Sequence, residues 1–231
     1  GVLATIAVLV LGYLYALPLA ADAIARHLPA GVEHSIGKGT LEFLDHRILA
    51  PSKLPAARRD AIVERFRSLK PPQDGAPSYE IVFRSSRIGP NAFALPSGQI
   101  VLTDELVKLM KDDDELMSVL AHELGHLHER HLMRRIVQSS AVGAVVTILF
   151  GDVSAVVANI PTLLLDMKYS RDAERDADDY AIAMLKANGI PLSHMAEAFE
   201  RLRQKEGGAG MPYLSSHPPT AERIVHIRQA E

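Results

Sequence analysis

Two histidines and a glutamate near the middle of the chain have the types and the spacing of a metal-dependent hydrolytic site. They lie in the stretch HELGH at 122–126, inside a segment rich in helix formers, 112–135, that contains one glycine. Residues four apart on a helix share a face, so His122 and His126 can offer two imidazole nitrogens to one metal ion. Glu123 lies beside them, where a carboxylate can take the proton of a water molecule as that water attacks a carbonyl.

The motif HELGH can also be interpreted as a chance match. It fixes only three residues in a chain with ten histidines, so a chance match on a solvated helix stays open. His131 follows His126 by five residues. On a continuous helix this is a rotation of about 140°, so we expect His131 not to share the metal. Glu129 and Leu132 occupy the glycine and histidine positions of a longer metal-binding motif, which excludes that motif. A third protein ligand must therefore come from elsewhere.

The composition narrows the class of protein. With 231 residues, of which 48% are hydrophobic, the chain is long enough for one domain with a substantial core. A formal net charge of −3 gives no general basic surface, so we expect no nucleic-acid partner. The chain has no cysteine, which excludes disulfides and thiolate ligands. Any metal ion must therefore be held by histidine, aspartate or glutamate.

A second segment offers a carboxylate as the third ligand. Residues 169–188 predict a helix on which Glu174 and Asp178 share a face with the small residue Ala177. A small-residue face allows close approach to another helix, so Glu174 can complete a metal site while Asp178 hydrogen-bonds a ligand histidine. The neighbouring charges also fit a solvated charge run, and charge counting alone favours that alternative.

Short segments rich in β-branched and aromatic residues, 79–84 and 99–103, predict strands of a small sheet. The stretch Asn91-Ala92-Phe93-Ala94 lies between them and has two possible roles. As a strand edge beside a metal site it can bind an extended peptide by adding it to the sheet. As part of an ordinary hairpin it has no role in binding, and the spacing favours the hairpin. Thr103 and the acidic run 112–115 predict the N-termini of two helices.

The N-terminal part predicts a membrane segment. Residues 1–21 contain no charged side chain, and an apolar run of this length spans a bilayer core, which predicts a transmembrane anchor. A signal peptide and a buried core helix are the alternatives. Residues 22–75 predict a juxtamembrane connector, with a break at Pro29 and a turn at 37–39, followed by a helix within 51–69.

A second apolar stretch, 139–165, lies within the remaining segment, 76–231, which we assign to one domain. Gly151-Asp152 divides the stretch into halves that are each too short to span a bilayer. It predicts a helical hairpin that either lies against a membrane or is buried within the domain, and hydropathy leaves both open.

Several motifs together resemble those of the M48 family of zinc peptidases. The resemblance runs from about 79 to 227 with all motifs in order, and Asp176 departs from it where many relatives have glutamate. The matching motifs are HELGH with the following Arg130-His131, the pattern Ser170-Arg171-x-x-Glu174-x-x-Ala177-Asp178, the late stretch Ser215-Ser216-His217-Pro218-Pro219-Thr220-x-x-Arg223, and the segment 91–96, which is similar to the one before the family's active-site helix.

The resemblance implies a zinc site and a role for each of its residues. It implies that His122, His126 and Glu174 bind one Zn²⁺ ion per chain, that Glu123 is the general base, and that Asp178 supports the site by holding a ligand.

The same resemblance implies roles for residues outside the ligand set. His217 and Arg223 match the family's late histidine and arginine and are therefore expected in the catalytic machinery. In relatives that histidine is discussed as a transition-state donor or as a blocking ligand. Asn91, Ala92, Phe93 and Ala94 are expected to bind substrate.

The expected fold is α+β and predominantly helical, a zincin-type domain of the gluzincin kind with a small β-sheet and an N-terminal transmembrane helix. The expected function is zinc-dependent cleavage of misfolded or envelope proteins by a single-pass membrane protein. Its partners would be polypeptides and the lipid bilayer. The catalytic domain is expected on the periplasmic side of a bacterial inner membrane. The alternatives are a chaperone-like adaptor with a latched protease site, and a structural metal site with four protein ligands.

Overall fold

The computed structural model describes residues 1–72, 75–150, 169–205, 216–218 and 221–231, and within them the chain is mostly helical with a four-stranded sheet. This agrees with the predicted α+β class. The helices are α1 (Val2–Leu11), α2 (Leu17–His27), α3 (Ala30–Arg47), α4 (Ala56–Ser68), α5 (Asp104–Leu109), α6 (Asp113–His128), α7 (His131–Phe150), α8 (Arg171–Ala187), α9 (Ser193–Lys205) and α10 (Ala221–Gln229), with a π-helical segment, Gly12–Ala16, between α1 and α2. The strands are β1 (Leu49–Pro51), β2 (Glu80–Ser86), β3 (Ala92–Ala94) and β4 (Gln99–Thr103).

The sheet has the strand order β1-β2-β4-β3. The two strands predicted from sequence are confirmed as β2 and β4, but they pair in parallel, with Val82 opposite Val101. Parallel partners cannot be joined by a tight turn, so the hairpin of this region is formed instead by β3 and β4. As a result β3 lies at an edge of the sheet.

The helix that carries HELGH begins where the acidic run predicted. The Asp112 side chain accepts a hydrogen bond from the Glu115 N–H at 2.9 Å, and Thr103 caps α5 in the same way through the Leu106 N–H at 3.3 Å. Every residue of α6 from Glu115 to His126 is buried. The motif helix is therefore a core element, packed between the sheet, α8 and α9.

This helix ends earlier than expected. The sequence predicted one helix over 112–135, whereas α6 ends at His128 and α7 begins at His131. Arg130 lies between them with a positive φ of 54°, a conformation that costs a non-glycine residue roughly 1–2 kcal/mol. Its side chain donates to the Ala25 carbonyl at 2.8 Å, a contact that helps to offset that cost. The predicted rotation of about 140° between His126 and His131 assumed a continuous helix and therefore does not apply.

The N-terminal segment differs from the prediction. Among the described residues no helix is both long and apolar enough to cross a bilayer, so the transmembrane helix predicted for residues 1–21 is not supported. That run divides into α1 with ten residues, the π-helical segment and the start of α2. About twenty helical residues are needed to span a bilayer.

The predicted turn at 37–39 is also wrong, because α3 continues through it. The glycine at position 37 has a packing role instead. A Cβ atom there would collide with Ser97, so Gly37 lets α3 approach the β3–β4 turn. The first half of the apolar hairpin predicted for 139–165 falls within α7, and residues 151–165 lie outside the described residues.

Close packing of α6 and α8 depends on Gly125, the glycine of HELGH. A Cβ atom at this position would lie 2.9 Å from the Ala177 carbonyl oxygen and 3.0 Å from its Cα. Ala177 and Ala181 on α8 are both fully buried, as the predicted small-residue face requires. The two helices can therefore approach with backbone almost against backbone, which brings their functional side chains together.

This crossing predicts that Gly125→Ala destabilises the protein by about 1–3 kcal/mol, because the added methyl overpacks the helix contact. Gly39→Ala is the matched control, since a Cβ there meets nothing within 4 Å in a helix interior. It should be neutral or stabilising by about 0.5–1 kcal/mol. Denaturant unfolding of both variants checks the prediction, and equal stabilities would contradict it.

Candidate metal centre

The α6–α8 crossing brings together the three side chains predicted to bind a metal ion. His122 Nε2 and His126 Nε2 lie 3.1 Å apart. Glu174 contributes Oε2 at 3.6 Å from His122 Nε2 and Oε1 at 3.6 Å from His126 Nε2. All three residues are buried. The structure thus places Glu174, the predicted third ligand, on a separate helix beside the two histidines.

His217 joins the same cluster from a distant part of the chain. Its Nδ1 lies 3.0 Å from Glu174 Oε1 and 3.4 Å from His122 Nε2, while its Nε2 lies 3.7 Å from Glu123 Oε1. The His217 side chain is 1% exposed. It therefore lies between the ligand atoms and the predicted general base.

The four side chains fit a zinc ion. Ligand atoms of a tetrahedral zinc site, each about 2.0–2.2 Å from the metal, are roughly 3.3–3.6 Å apart. Neighbouring atoms in this cluster are 3.0 to 3.6 Å apart, and one ligand atom from each residue lies within 4.8 Å of all the others. Burial and the surrounding imidazoles lower the pKa of His126 well below its usual range. Its ring is therefore neutral, as a metal ligand requires.

Asp178 and Arg223 form a line of contacts behind the ligands. His122 Nδ1 lies 2.9 Å from Asp178 Oδ1, and the Arg223 guanidinium donates two hydrogen bonds of 2.7 Å to the same carboxylate. Arg223 also pairs with Glu174 Oε2. Burial alone would raise the pKa of Asp178, but the hydrogen bonds from Arg223 and His122 outweigh it and hold the pKa below its usual range. Arg223 thus pairs with two buried carboxylates, those of Asp178 and Glu174.

Glu123 lies on the other side of the cluster, against the sheet. Burial raises the pKa of its carboxyl group to about 8, and the charge of Glu174 acts in the same direction. The charge of His122 and the nearby backbone of Ala94 oppose this shift. Without a metal ion this carboxyl group therefore holds its proton at neutral pH.

The predicted substrate strand, 91–94, divides into two parts. Asn91 is tied to β4, because its N–H donates to the Thr103 hydroxyl at 2.8 Å and its carbonyl accepts from the Thr103 N–H at 3.0 Å. In an antiparallel pair alternate residues face the partner, so the backbone groups of Ala92 and Ala94 point toward the outer edge. A cavity of about 350 Å³ lies beside this edge, and its lining includes Ala94, Leu95 and His126.

Two residues that the sequence did not assign contact His126. Tyr169 stacks on its ring, with centroids 4.1 Å apart and planes inclined by 22°. His131 places Nδ1 2.9 Å from His126 Nδ1. His131 belongs to the motif Arg130-His131 of the resemblance, but neither contact had a local signal, because Tyr169 precedes a helix and the break before His131 contains neither glycine nor proline. His131 contacts His126 through the ring nitrogen that does not face His122, and the expectation that His131 does not share the metal stays a prediction.

Comparisons with known proteins agree with this geometry. The model of peptidase family M48 matches residues 54–231. Metalloprotease YcaL of Escherichia coli K12 is 33% identical over 162 residues, which cover 67% of this chain and 63% of the relative. Metalloprotease LoiP of the same organism is 32% identical over 60% of this chain and 57% of the relative. Mitochondrial metalloendopeptidase OMA1 of Arabidopsis thaliana is 31% identical over 61% of this chain and 29% of the relative. The chain thus matches less than two thirds of the length of each of these relatives.

The position of Arg223 predicts a large effect on stability. Arg223→Ala should lower the free energy of unfolding of the metal-free protein by about 3–5 kcal/mol, because two buried carboxylates lose their cation. Arg228→Ala on the same helix is the control, since Arg228 pairs with Glu200 at the surface and should contribute less than about 1 kcal/mol. Denaturant unfolding measures both, and a loss for Arg223→Ala no larger than the control's would contradict the role assigned to it.

Proposed function

Because the chain belongs to peptidase family M48, we propose that it is a zinc-dependent endopeptidase in which His122, His126 and Glu174 hold the metal. The observation that carries the proposal is the buried cluster of imidazole and carboxylate groups beside Glu123. This donor set, without sulfur, is typical of hydrolytic zinc sites with three protein ligands.

In this proposal Glu123 is the general base. When bound, zinc supplies a Lewis acid that polarises the scissile carbonyl and lowers the pKa of water toward 7. In its ionised form Glu123 takes the proton of the attacking water and gives it to the leaving amine. Asp178 and Arg223 act as positioning residues, because Asp178 contacts the ligand His122 and Arg223 contacts the ligand Glu174.

We propose that the substrate is an extended polypeptide that pairs with the edge of β3. The outward backbone groups of Ala92 and Ala94 supply sequence-independent hydrogen bonds. The cavity beside Ala94 and His126 can then receive a substrate side chain. An extended backbone is most readily offered by an unfolded chain, which favours misfolded proteins as substrates.

We further propose that His217 latches the site in the described conformation. Its Nδ1 lies among the ligand atoms, within 3.4 Å of His122 Nε2 and 3.0 Å of Glu174 Oε1. A histidine held there occupies the position that water and substrate need. The same geometry supports the alternative function, a chaperone-like protein whose protease site stays silent.

Attachment to a lipid bilayer, with the domain on the periplasmic side of a bacterial inner membrane, stays a prediction. Its support is the exposed apolar surface of the N-terminal segment. Exposed apolar surface of this extent is typical of interaction with membranes or proteins. The exposed large apolar side chains are Val2, Leu3, Ile6, Val8, Leu9, Val10, Leu11, Tyr13, Tyr15 and Leu19.

The base assignment predicts that Glu123→Gln keeps stoichiometric zinc and lowers cleavage of unfolded casein by about 10²–10⁴-fold, because the amide cannot accept the proton. A chelator should abolish wild-type cleavage, and added zinc should restore it. Glu64→Gln, on an exposed face of α4, should change neither quantity. Cleavage by Glu123→Gln at the wild-type rate would refute the mechanism.

The latch predicts that His217→Ala raises cleavage while weakening zinc binding, because a ligand is lost and the open position becomes accessible. If the closed state is favoured about tenfold, cleavage rises by about tenfold. His226→Ala removes an imidazole that pairs with Asp179 away from the ligands and should leave cleavage unchanged. With both proteins saturated with zinc, a fall in cleavage for His217→Ala would show a catalytic donor instead, and no change would favour the silent adaptor.

A further inference from the structure

We propose that His131 is a positioning residue for the zinc ligand His126, which it holds by a hydrogen bond between the two Nδ1 atoms. The inference rests on the proposed zinc site and adds a residue to it. The observation is the 2.9 Å separation of His126 Nδ1 and His131 Nδ1 in a buried environment. A ligand histidine needs a partner for its second ring nitrogen, which fixes both the tautomer and the ring orientation.

The contact exists because the chain breaks between α6 and α7. On a continuous helix, residues five apart point about 140° away from each other. Arg130 with its positive φ ends α6, and α7 starts at His131 in a new direction. Arg130 is held in place by the Ala25 carbonyl at 2.8 Å and by Glu33 at 3.5 Å. The reversal carries the His131 ring back to the face of His126 opposite the metal ligands.

The tautomers of both rings follow from this contact. When His126 Nε2 binds the metal, its Nδ1 carries the hydrogen, so His131 Nδ1 must be the acceptor. A neutral imidazole has one N–H, and His131 therefore carries its hydrogen on Nε2. That nitrogen is buried and has no hydrogen-bond partner among the described residues, and Asp176 Oδ2 is 3.7 Å from it. The Asp176 carboxylate can accept from it through a small movement or a bridging water.

Protonation of His131 on Nε2 also excludes a second metal site that would use this nitrogen. Glu129, His131 and Asp176 offer ligand atoms within 4.8 Å of one another. A metal ion there would need the Nε2 lone pair of His131, which is absent while Nδ1 accepts from His126. The group therefore works as a hydrogen-bond relay from a carboxylate through His131 to His126. His122 differs, because it contacts the Asp178 carboxylate directly at 2.9 Å.

The first experiment reads the tautomer in the unmodified protein. Long-range ¹H–¹⁵N correlation spectra of the full-length chain with ¹⁵N-labelled histidines, loaded with zinc, should show His131 protonated on Nε2 only. A ring of His131 that is protonated on Nδ1, or on both nitrogens, would overturn the proposal. This measurement needs no variant and so does not depend on whether a variant folds.

The second experiment separates hydrogen bonding from packing. Zinc dissociation constants are measured by competition with a chromophoric chelator. His131→Leu retains the approximate volume of the side chain but lacks the acceptor nitrogen. It should weaken zinc binding by about 10–100-fold. His131→Asn restores an acceptor near the position of Nδ1 and should bind zinc within about threefold of the wild type. His128→Leu removes an imidazole of α6 that packs against the Tyr180 ring of α8, and it should have no effect on zinc binding.

The outcomes distinguish this inference from the proposed function. Wild-type protein that binds no zinc would refute the metal site itself. Wild-type protein that binds zinc while His131→Leu binds it equally well would refute only the role of His131. Equal weakening in His131→Leu and His131→Asn would indicate a packing role and would also overturn the proposal.

Discussion

The burial of acidic groups is the constraint on which the rest of this structure depends. Glu123, Glu174 and Asp178 are all nearly inaccessible to solvent and lie around one cluster of imidazoles. Uncompensated charges of this kind are strongly destabilising. Arg223 offsets two of them, and its guanidinium also lies 4.7 Å from the centre of the Phe199 ring. The third carboxyl group, Glu123, is the one whose pKa is raised to about 8. Arg223 thus pairs with Glu174 and Asp178, the two carboxylates at the proposed ligands, and the proposed proton carrier Glu123 is the carboxyl group with the raised pKa.

Close helix packing turns this electrostatic arrangement into a site. The missing side chain of Gly125 lets α8 approach α6, so a carboxylate on one helix reaches two imidazoles on the other. The two ligand histidines are then held differently, since His122 contacts a carboxylate and His126 contacts His131. A charged partner makes an imidazole a stronger electron donor than a neutral one. The two proposed zinc ligands are therefore inequivalent.

Two features proposed to control access to the site lie outside the two ligand helices. The segment that carries His217 is tied to the start of α8, because the Tyr169 N–H donates to the Ser216 carbonyl at 3.1 Å. Tyr169 itself stacks on His126, so a movement of the segment that carries His217 would also displace the ring packed against a proposed ligand. The edge of β3, proposed to bind substrate, lies near Glu123, whose carboxylate is also 3.7 Å from His217 Nε2. The proposed latch and the proposed substrate strand thus meet at the same carboxylate.

Features carried by neighbouring residues were readable from the sequence. The i, i+4 spacing of His122 and His126, the caps of α5 and α6 and the small-residue face of α8 are local, and helix geometry alone predicts them. The family resemblance then supplied Glu174.

The tertiary structure decided what depends on distant contacts: the parallel pairing of β2 and β4, the place of His217 in the cluster, and the contact of His131 with His126. The last depends on a left-handed residue, Arg130, whose type gives no such signal and whose conformation is compensated by contacts with helices 97 and 105 residues away in sequence. The hydrophobic periodicity of a sequence cannot predict such contacts, because they form only when the distant helices are assembled.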